Sequence, residues 1–199
     1  MAGNTQRGFV RCDMSSNLVS DWFGERFFEL HPLLQQLHKT GGVLSGKVKV
    51  KLANGIAGYI GRRIAKNLAI PIDQEEQSFS VSITHHADGL HWDRSFNVSQ
   101  MRSVFLPIGN LKNGYWLEAT GIFKLHLTVD IKDGGWYWRC LNIKFNKLTL
   151  PRYFLPRLNA LKKIENEKYR FYVGVNLPIF GEVLSYSGLL TPVISATNY

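Results

Sequence analysis

The side chains best suited to chemistry lie around an Asp-Gly pair near the middle of the chain. Arg94 stands between Trp92 and Phe96 in a segment that alternates apolar and polar residues, which places it on the apolar face of a predicted strand. A buried guanidinium without a partner is very costly. Glu118, on another predicted strand, is the first candidate for that partner, and Glu165 is the second.

Three interpretations of Arg94 remain open at this stage. It could form an internal ion pair that fixes the strand register, or lie exposed with its stem packed on Trp92. It could also bind the acidic head group of a ligand inside a cavity. In that third case the predicted ligand-binding residues are Arg94, Trp92, Phe96, Glu118 and His85.

Catalysis has weaker support in the sequence. His85, Arg94 and Glu118 could do acid–base chemistry if they shared a pocket. However, there is no G-x-S-x-G motif, and Cys140 sits in a strand beside Trp138 and Arg139. We therefore predict no catalytic residue and favour a function other than catalysis.

A metal site is a further hypothesis for the opposite, polar face of the same hairpin. His86 and His91 could bind zinc across a strand pair, with Asp93 completing the site. No third strong ligand occurs at a diagnostic spacing, and Cys12 and Cys140 have no metal-ligand spacing either. We predict neither a metal nor a cofactor.

The elements that must position these residues are mostly β-strands. Asp88-Gly89 predicts a type I′ turn that joins Gln77–His86 to Leu90–Phe96 and sets Ile83 opposite Arg94. A shift of the apolar phase near Asn146 indicates a bulge. The other predicted strands are Val43–Leu52, Gln100–Leu106, Tyr115–Ala119, Ile122–Ile131, Trp136–Leu150, Leu158–Glu165, Tyr169–Leu177 and Val183–Leu190.

Three helices are predicted. Apolar residues recur at helical spacing over Leu18–Leu30, with Asn17 or Ser20 as the cap, and Pro32–Lys39 forms a second short helix. The third helix, Asn54–Leu68, interrupts the β-pattern between the first and second strands. Residues 1–17 are predicted to be a flexible terminus, and residues 18–199 a single β-rich domain.

About ten antiparallel strands must hide their edges, and closure into a barrel is the usual solution. The predicted fold is therefore mainly β: a lipocalin-like barrel that is similar in element order to intracellular fatty-acid-binding proteins. The alternative is a START-like helix-grip fold of the α+β class, which ends in a long helix. The C-terminal segment from Val183 has strand character instead, so we predict the barrel.

Charge favours an acidic partner. The chain has 24 Lys and Arg against 15 Asp and Glu, a formal charge of +9, while 45% of its residues are apolar. The basic residues are scattered, and clusters such as Lys162 with Lys163 are typical of a solvated face. No nucleic-acid motif occurs, so nucleic acid is not a predicted partner.

The Asn54–Leu68 helix permits two interpretations. Its apolar residues could cap one end of the barrel. Alternatively, it could be a basic lid or portal whose Arg62, Arg63 and Lys66 meet the head groups of an anionic membrane. The chain shows no secretory h-region and no apolar window of ~18 residues. We expect a cytoplasmic protein, which in the second interpretation contacts the inner membrane peripherally.

Six short motifs carry a family resemblance, beginning with the W-x-R-x-F pattern over residues 92–96. The others are Leu117–Gly121, Leu150–Pro156, Tyr169–Val173, Leu177–Gly181 and Tyr186–Leu189. Together they resemble the bacterial family called domain of unknown function 4166, from about Leu33 to Pro192. The resemblance implies a compact module that elsewhere accompanies NAD(P)-binding domains similar to saccharopine dehydrogenase or to epimerases. Here no G-x-G-x-x-G follows any predicted strand.

The sequence therefore predicts a non-catalytic module that binds an apolar, acidic small molecule or lipid. Two alternatives stay open. One is a small-molecule enzyme with an acid–base pocket. The other is an interaction module beside an NAD(P)-dependent oxidoreductase, with a filled barrel and an exposed apolar patch. The oligomeric state is left open.

Overall fold

The computed structural model describes residues 17–145, 148–149 and 157–194. The helices in this part of the chain are α1 (Leu18–Phe23), a 3-10 helix (Gly24–Glu29), α2 (Pro32–Thr40) and α3 (Gly55–Asn67). The strands are β1 (Gly42–Leu52), β2 (Glu76–His86), β3 (Gly89–Phe96), β4 (Gln100–Ile108), β5 (Tyr115–Thr120), β6 (Phe123–Lys132), β7 (Gly135–Phe145), β8 (Leu148–Thr149), β9 (Arg157–Glu165), β10 (Lys168–Leu177) and β11 (Gly181–Ile194).

Ten of these strands close into an antiparallel barrel, which confirms the predicted fold. The order around the barrel is β1-β2-β3-β4-β5-β6-β7-β9-β10-β11, and β11 pairs back onto β1. The two-residue β8 pairs only with the end of β7 in the described part of the chain. The helix-grip alternative is wrong because the segment after Gly181 is a long strand, in register with β1 from Ile194↔Gly42 to Leu184↔Leu52.

The two ends of the barrel are built from different elements. Strand β1 starts directly after α2 and ends directly before α3, so α1 and α2 lie at one end and α3 lies at the other. Because consecutive strands are antiparallel, the β3–β4, β5–β6 and β10–β11 connections lie at the end that carries α3. We call these the α1/α2 end and the α3 end.

A cluster of tryptophans fills the interior towards the α1/α2 end. All five tryptophans of the chain are buried. Trp136 lies with its ring centroid 5.0 Å from that of Trp138 and 6.4 Å from that of Trp116. Trp22 of α1 joins the cluster, 5.5 Å from Trp116, and its Nε1 donates to the carbonyl of Ile108 at 3.2 Å. Helix α1 is thereby attached to the barrel wall.

Two local predictions differ from the structure. The β2–β3 turn consists of Ala87 and Asp88, so Val81 rather than Ile83 pairs with Arg94. That is a shift of two residues, which leaves every side chain on its predicted face. The first predicted helix breaks at Gly24, whose φ is 59°, and continues as the 3-10 helix.

Two predictions fall outside the described residues. These are residues 1–16 of the predicted flexible terminus and the bulge near Asn146. The described part of β7 has a bulge of its own at Leu141, because His126 pairs with Asn142 while Leu127 pairs with Cys140. Asn17 caps α1 as predicted, its Oδ1 accepting from the amide of Val19 at 3.0 Å.

Candidate functional site

The barrel encloses a cavity of about 160 Å³ between the tryptophan cluster and α3. Ile64 and Leu68 of α3, with Ile70 after it, line the cavity at the α3 end. Most of the remaining lining side chains are aliphatic or aromatic. The polar ones are Arg94, Glu118, Thr120, Lys162, Tyr169 and Tyr186. An apolar cavity with a few convergent polar groups is the usual form of a small-molecule site.

Arg94 reaches into this cavity from β3 and is held by a chain of hydroxyl groups. Its Nη1 donates to Ser103 Oγ at 2.5 Å, and Ser103 Oγ lies 2.5 Å from Thr120 Oγ1. Thr120 donates its proton to Glu118 Oε1 at 2.8 Å, so Ser103 must donate to Thr120. The hydrogen bonds therefore run in one direction, from the guanidinium to the carboxylate.

Arg94 and Glu118 form a loose ion pair. Their closest N–O distance is 4.0 Å, and their side chains are only 11% and 13% exposed. A guanidinium has five N–H donors, and the described residues supply Arg94 with one hydrogen bond, to Ser103. Its remaining donors have no protein acceptor among those residues, so a ligand oxygen could accept from them.

Lys162 of β9 is a second cation at the cavity. It is buried, and its Nζ lies 3.9 Å from the ring centroid of Trp92, 4.4 Å from that of Trp136 and 5.1 Å from that of Trp138. No carboxylate among the described residues lies within ion-pairing distance of this amine. Burial, reinforced by the positive charge of Arg94, holds the pKa of Lys162 well below its ordinary value.

Tyr169 adds a further donor to the cavity wall. Its hydroxyl is buried and has no hydrogen-bond partner among the described residues. Burial raises the pKa of Tyr169 well above its ordinary value, so the phenol stays protonated. The polar groups of the cavity are therefore mostly donors, while Glu118 is its one carboxylate in the described part of the chain.

The comparisons with known proteins concern the family alone. A model of the family described as Domain of unknown function (DUF4166) matches residues 30–190. The chain belongs to this family. Neither a curated protein nor a solved structure matches the chain. The matched range includes Arg94, Glu118 and Lys162, so the cavity is a feature of the DUF4166 region itself.

The five ligand-binding residues predicted from the sequence do not all lie at the cavity. Trp92, Arg94 and Glu118 line the DUF4166 cavity. Phe96 is buried beside it and packs on Phe79, with ring centroids 4.8 Å apart. His85 is not at the cavity: its Nε2 lies 3.0 Å from the carbonyl oxygen of His38 in α2, and burial lowers its pKa.

Lys162 is the residue that sequence analysis missed, since it was grouped with Lys163 as part of a solvated basic cluster. A signal for its burial was present. Leu158, Ala160 and Ile164 pack against the core, and Lys162 shares their phase in the β9 alternation. A lysine in the apolar phase of a strand indicates a buried amine, by the same reasoning that selected Arg94.

The predicted membrane or portal residues lie on the outside of α3. Arg62, Arg63 and Lys66 are all exposed, while Ile64 of the same helix lines the cavity. None of the helices in the described ranges is long and apolar enough to span a bilayer.

The side chains considered as zinc ligands interact with other residues. Asp93 pairs with Arg102 at 2.5 Å, and His91 Nε2 lies 2.8 Å from Asp88 Oδ1. Thr84 Oγ1 lies 3.0 Å from Nε2 of His86. No group of three or more potential metal ligands occurs among the residues that the structure describes.

Proposed function

We propose that the DUF4166 domain binds a small apolar molecule with an acidic head group, and that the head group lies against Arg94 and Lys162. The observation that carries this proposal is the charge balance of the cavity. Two basic side chains and one carboxylate, that of Glu118, face an interior whose lining is otherwise mostly apolar. A protonated Lys162 therefore leaves an excess of one positive charge, which a ligand carboxylate would neutralise.

Hydrogen bonding supports the same class of ligand. Arg94, Lys162 and the Tyr169 hydroxyl all have donors without protein acceptors in the described residues. Donors that lack acceptors in a buried site are costly, and a carboxylate offers about four acceptor positions. Hydrogen bonds to a charged group are also stronger than those between neutral groups.

Cavity size limits the apolar part of the ligand. Ligand pockets usually measure about 300–1,000 Å³, whereas an engineered apolar cavity of about 150 Å³ accommodates benzene. The cavity of about 160 Å³ therefore favours a ring-sized or medium-chain acid. A long-chain lipid would require α3 or the barrel wall to move.

The two alternative functions have less support. An acid–base enzyme needs His85 beside Arg94 and Glu118, but His85 bonds to a backbone carbonyl of α2. An interaction module without a ligand predicts a filled interior, and this barrel has a cavity.

Calorimetric titration with octanoate and with 1-octanol tests the proposal, because the two probes differ mainly in the charge of the head group. We expect octanoate to bind about 10- to 100-fold more tightly, since charge-assisted hydrogen bonds contribute roughly 1.5–3 kcal/mol. The triple variant Arg94→Met/Glu118→Gln/Lys162→Met removes both basic side chains and the carboxylate from the cavity, so no buried charge is left there. It should abolish the preference.

Arg102→Met is the matched control, because Arg102 lies on the neighbouring strand but its side chain is 68% exposed on the outer surface. It should bind octanoate as the wild type does. Equal affinity for the two probes, or no binding of either, would contradict the proposal.

A further inference from the structure

We infer that the α3 end of the barrel is a docking surface for an anionic lipid bilayer. This inference is independent of the ligand proposed for the cavity, because it concerns only exposed residues. The surface consists of the outer face of α3 and the tips of the β3–β4, β5–β6 and β10–β11 connections.

Helix α3 packs on the barrel mainly through small residues. Its buried residues are Gly58, Gly61 and Ala65, all of them small. The larger Ile56 and Tyr59 point outward instead and are 71% and 68% exposed. The helix therefore presents two bulky apolar side chains to its surroundings, while Ile64 faces the cavity.

Cations surround these apolar side chains. Arg62, Arg63 and Lys66 are exposed, and α3 contains no acidic residue. Mixed basic and apolar side chains on one exposed helix face are typical of helices that lie in the head-group region of a membrane. Positive charge without acidic neighbours on the helix complements an anionic lipid surface.

The neighbouring connections extend this surface. Val98 of the β3–β4 connection is 79% exposed and Ile179 of the β10–β11 connection is 80% exposed. Phe180 and Ile122, of the β5–β6 turn, are also exposed. Ser99 Oγ donates to the carbonyl of Ala69 at 2.6 Å, which joins the β3–β4 connection to the segment after α3. Every described connection at this end thus carries an exposed apolar side chain.

Among the described residues, the acidic side chains at the α3 end lie only beside β2 and β11. Asp73 and Glu75 precede β2, and Glu76 pairs with Lys47 Nζ at 2.8 Å. Glu182 accepts hydrogen bonds from the Ser185 and Tyr172 hydroxyls. None of these carboxylates pairs with the cations of α3.

The α1/α2 end is different in charge. Phe28 is exposed there, but Glu25 and Glu29 lie beside it in the chain, and Arg26 is paired with Glu29 at 2.8 Å. The two carboxylates oppose insertion of Phe28 into an anionic bilayer, although Lys39, Lys112 and Lys132 are exposed elsewhere at this end. The charge pattern therefore selects the α3 end as the face that meets the lipid.

Co-sedimentation with vesicles tests the inference. The vesicles are phosphatidylcholine alone or phosphatidylcholine with about 30% phosphatidylglycerol. We expect binding to the anionic vesicles only, weakened in about 0.5 M salt because screening shortens the range of the attraction. The triple variant Arg62→Gln/Arg63→Gln/Lys66→Gln should lower the partition coefficient by about fivefold per cation, on the order of 100-fold in all.

Two further variants separate the docking surface from the net charge of the protein. Lys39→Gln/Lys112→Gln/Lys132→Gln removes the same charge from exposed residues at the α1/α2 end and should change the partition coefficient far less. Ile56→Ser/Ile179→Ser keeps all the charges and should reduce the binding that survives in salt. Equal binding to both vesicle types, no binding to either, or equal losses in the two triple variants would overturn the inference.

Discussion

Lys162 is a basic side chain in an unfavourable environment, the apolar interior of the barrel. Burial disfavours its charged form, whereas three tryptophan rings within 5.1 Å of Nζ stabilise a cation. Burial, with the positive charge of Arg94, lowers the pKa of Lys162 despite these rings. A bound carboxylate would reverse that balance by supplying a counter-charge.

Lys162→Met should therefore leave the ligand-free protein as stable as the wild type or more stable, by up to a few kcal/mol. The unfolded chain protonates this amine up to pH ~10.4 while the folded chain releases the proton earlier, so wild-type stability rises with pH between those two pKa values. The variant should lose this rise. Urea unfolding at several pH values measures both effects.

Lys163→Met is the control for that experiment, because Lys163 lies on the outer face and pairs with Glu165. It should change stability by less than about 0.5 kcal/mol. A strongly destabilised Lys162→Met variant would mean that the charged amine supports the fold.

A second prediction for a single residue concerns His38. Its ring is fully buried between Trp92 and Trp136, and neither ring nitrogen has a partner among the described residues. Burial, together with the nearby charge of Lys162, lowers the pKa of His38 well below its ordinary value. The folded protein therefore holds His38 neutral while the unfolded chain protonates it below pH ~6.5. The free energy of unfolding is therefore not reduced by His38 above that pH, and it falls as the pH drops below it.

His38→Phe should reduce the loss of stability between pH 7 and pH 5 by about 2 kcal/mol, because a single uncompensated proton accounts for that much. Chemical denaturation at the two pH values measures the loss. The charged groups that face His38 are Lys162 and His85, and both remain in the variant. A wild-type loss that His38→Phe leaves unchanged would show that these other groups, rather than His38, cause it.

At the residue scale, the face of each strand was predictable and the partners were not. Alternation placed Arg94 inside, because a strand with a buried face repeats every two residues. Glu118 was a candidate from its own strand pattern, and it lies 4.0 Å away. The Ser103–Thr120 link between them depends on the register of β3, β4 and β5, which no local pattern encodes.

At the scale of elements, α3 is the helix whose packing departs most from expectation. In one of the two interpretations its apolar residues cap the barrel; Ile64 does line the cavity, but Ile56 and Tyr59 are exposed. The physical reason is close backbone approach. A Cβ on Gly61 would lie 2.1 Å from the carbonyl oxygen of Val183, so only glycine lets the helix come this near to β11.

Gly61→Ala should therefore destabilise the protein by about 1–3 kcal/mol, although alanine is the better helix former by about 1 kcal/mol. Asn67→Ala, at an exposed position of the same helix, is the control and should change stability little. Urea denaturation compares the two. Greater stability in Gly61→Ala would show that α3 does not approach β11 so closely.

The β2–β3 hairpin shows why turn residues are less reliable than strand periodicity. Asp88-Gly89 resembles a two-residue turn, but Gly89 begins β3 and meets another requirement. A Cβ there would lie 2.6 Å from the carbonyl oxygen of Phe105 on β4. The glycine is needed for a tertiary contact that the local sequence does not reveal, and the turn moves to Ala87-Asp88.

At the scale of the whole molecule, closure of the sheet follows from the sequence, while the content of the barrel does not. The number of alternating segments and the absence of a C-terminal helix predicted the closed barrel, in which β1 pairs with β11 and β6 pairs with β7. Whether the side chains fill it depends on how large residues from opposite walls meet. Here the tryptophans pack at the α1/α2 end and leave the space beside α3 empty.

This arrangement also makes the two ends of the molecule structurally different. The α1/α2 end is closed by packed aromatic rings, whereas the α3 end combines the cavity wall with the exposed basic and apolar surface. A bilayer bound at the α3 end would lie against the helix that closes the cavity. An apolar acid could then pass between lipid and barrel without crossing open water.

The most direct test of the proposed binding site is a crystal structure of the protein with 8-bromooctanoate. The anomalous signal of bromine locates the apolar end of this ligand. We expect the bromine inside the barrel and the carboxylate within hydrogen-bonding distance of the Arg94 guanidinium or of Lys162 Nζ. An interior filled by protein side chains, with bromine found only on the outer surface, would contradict the proposed binding site.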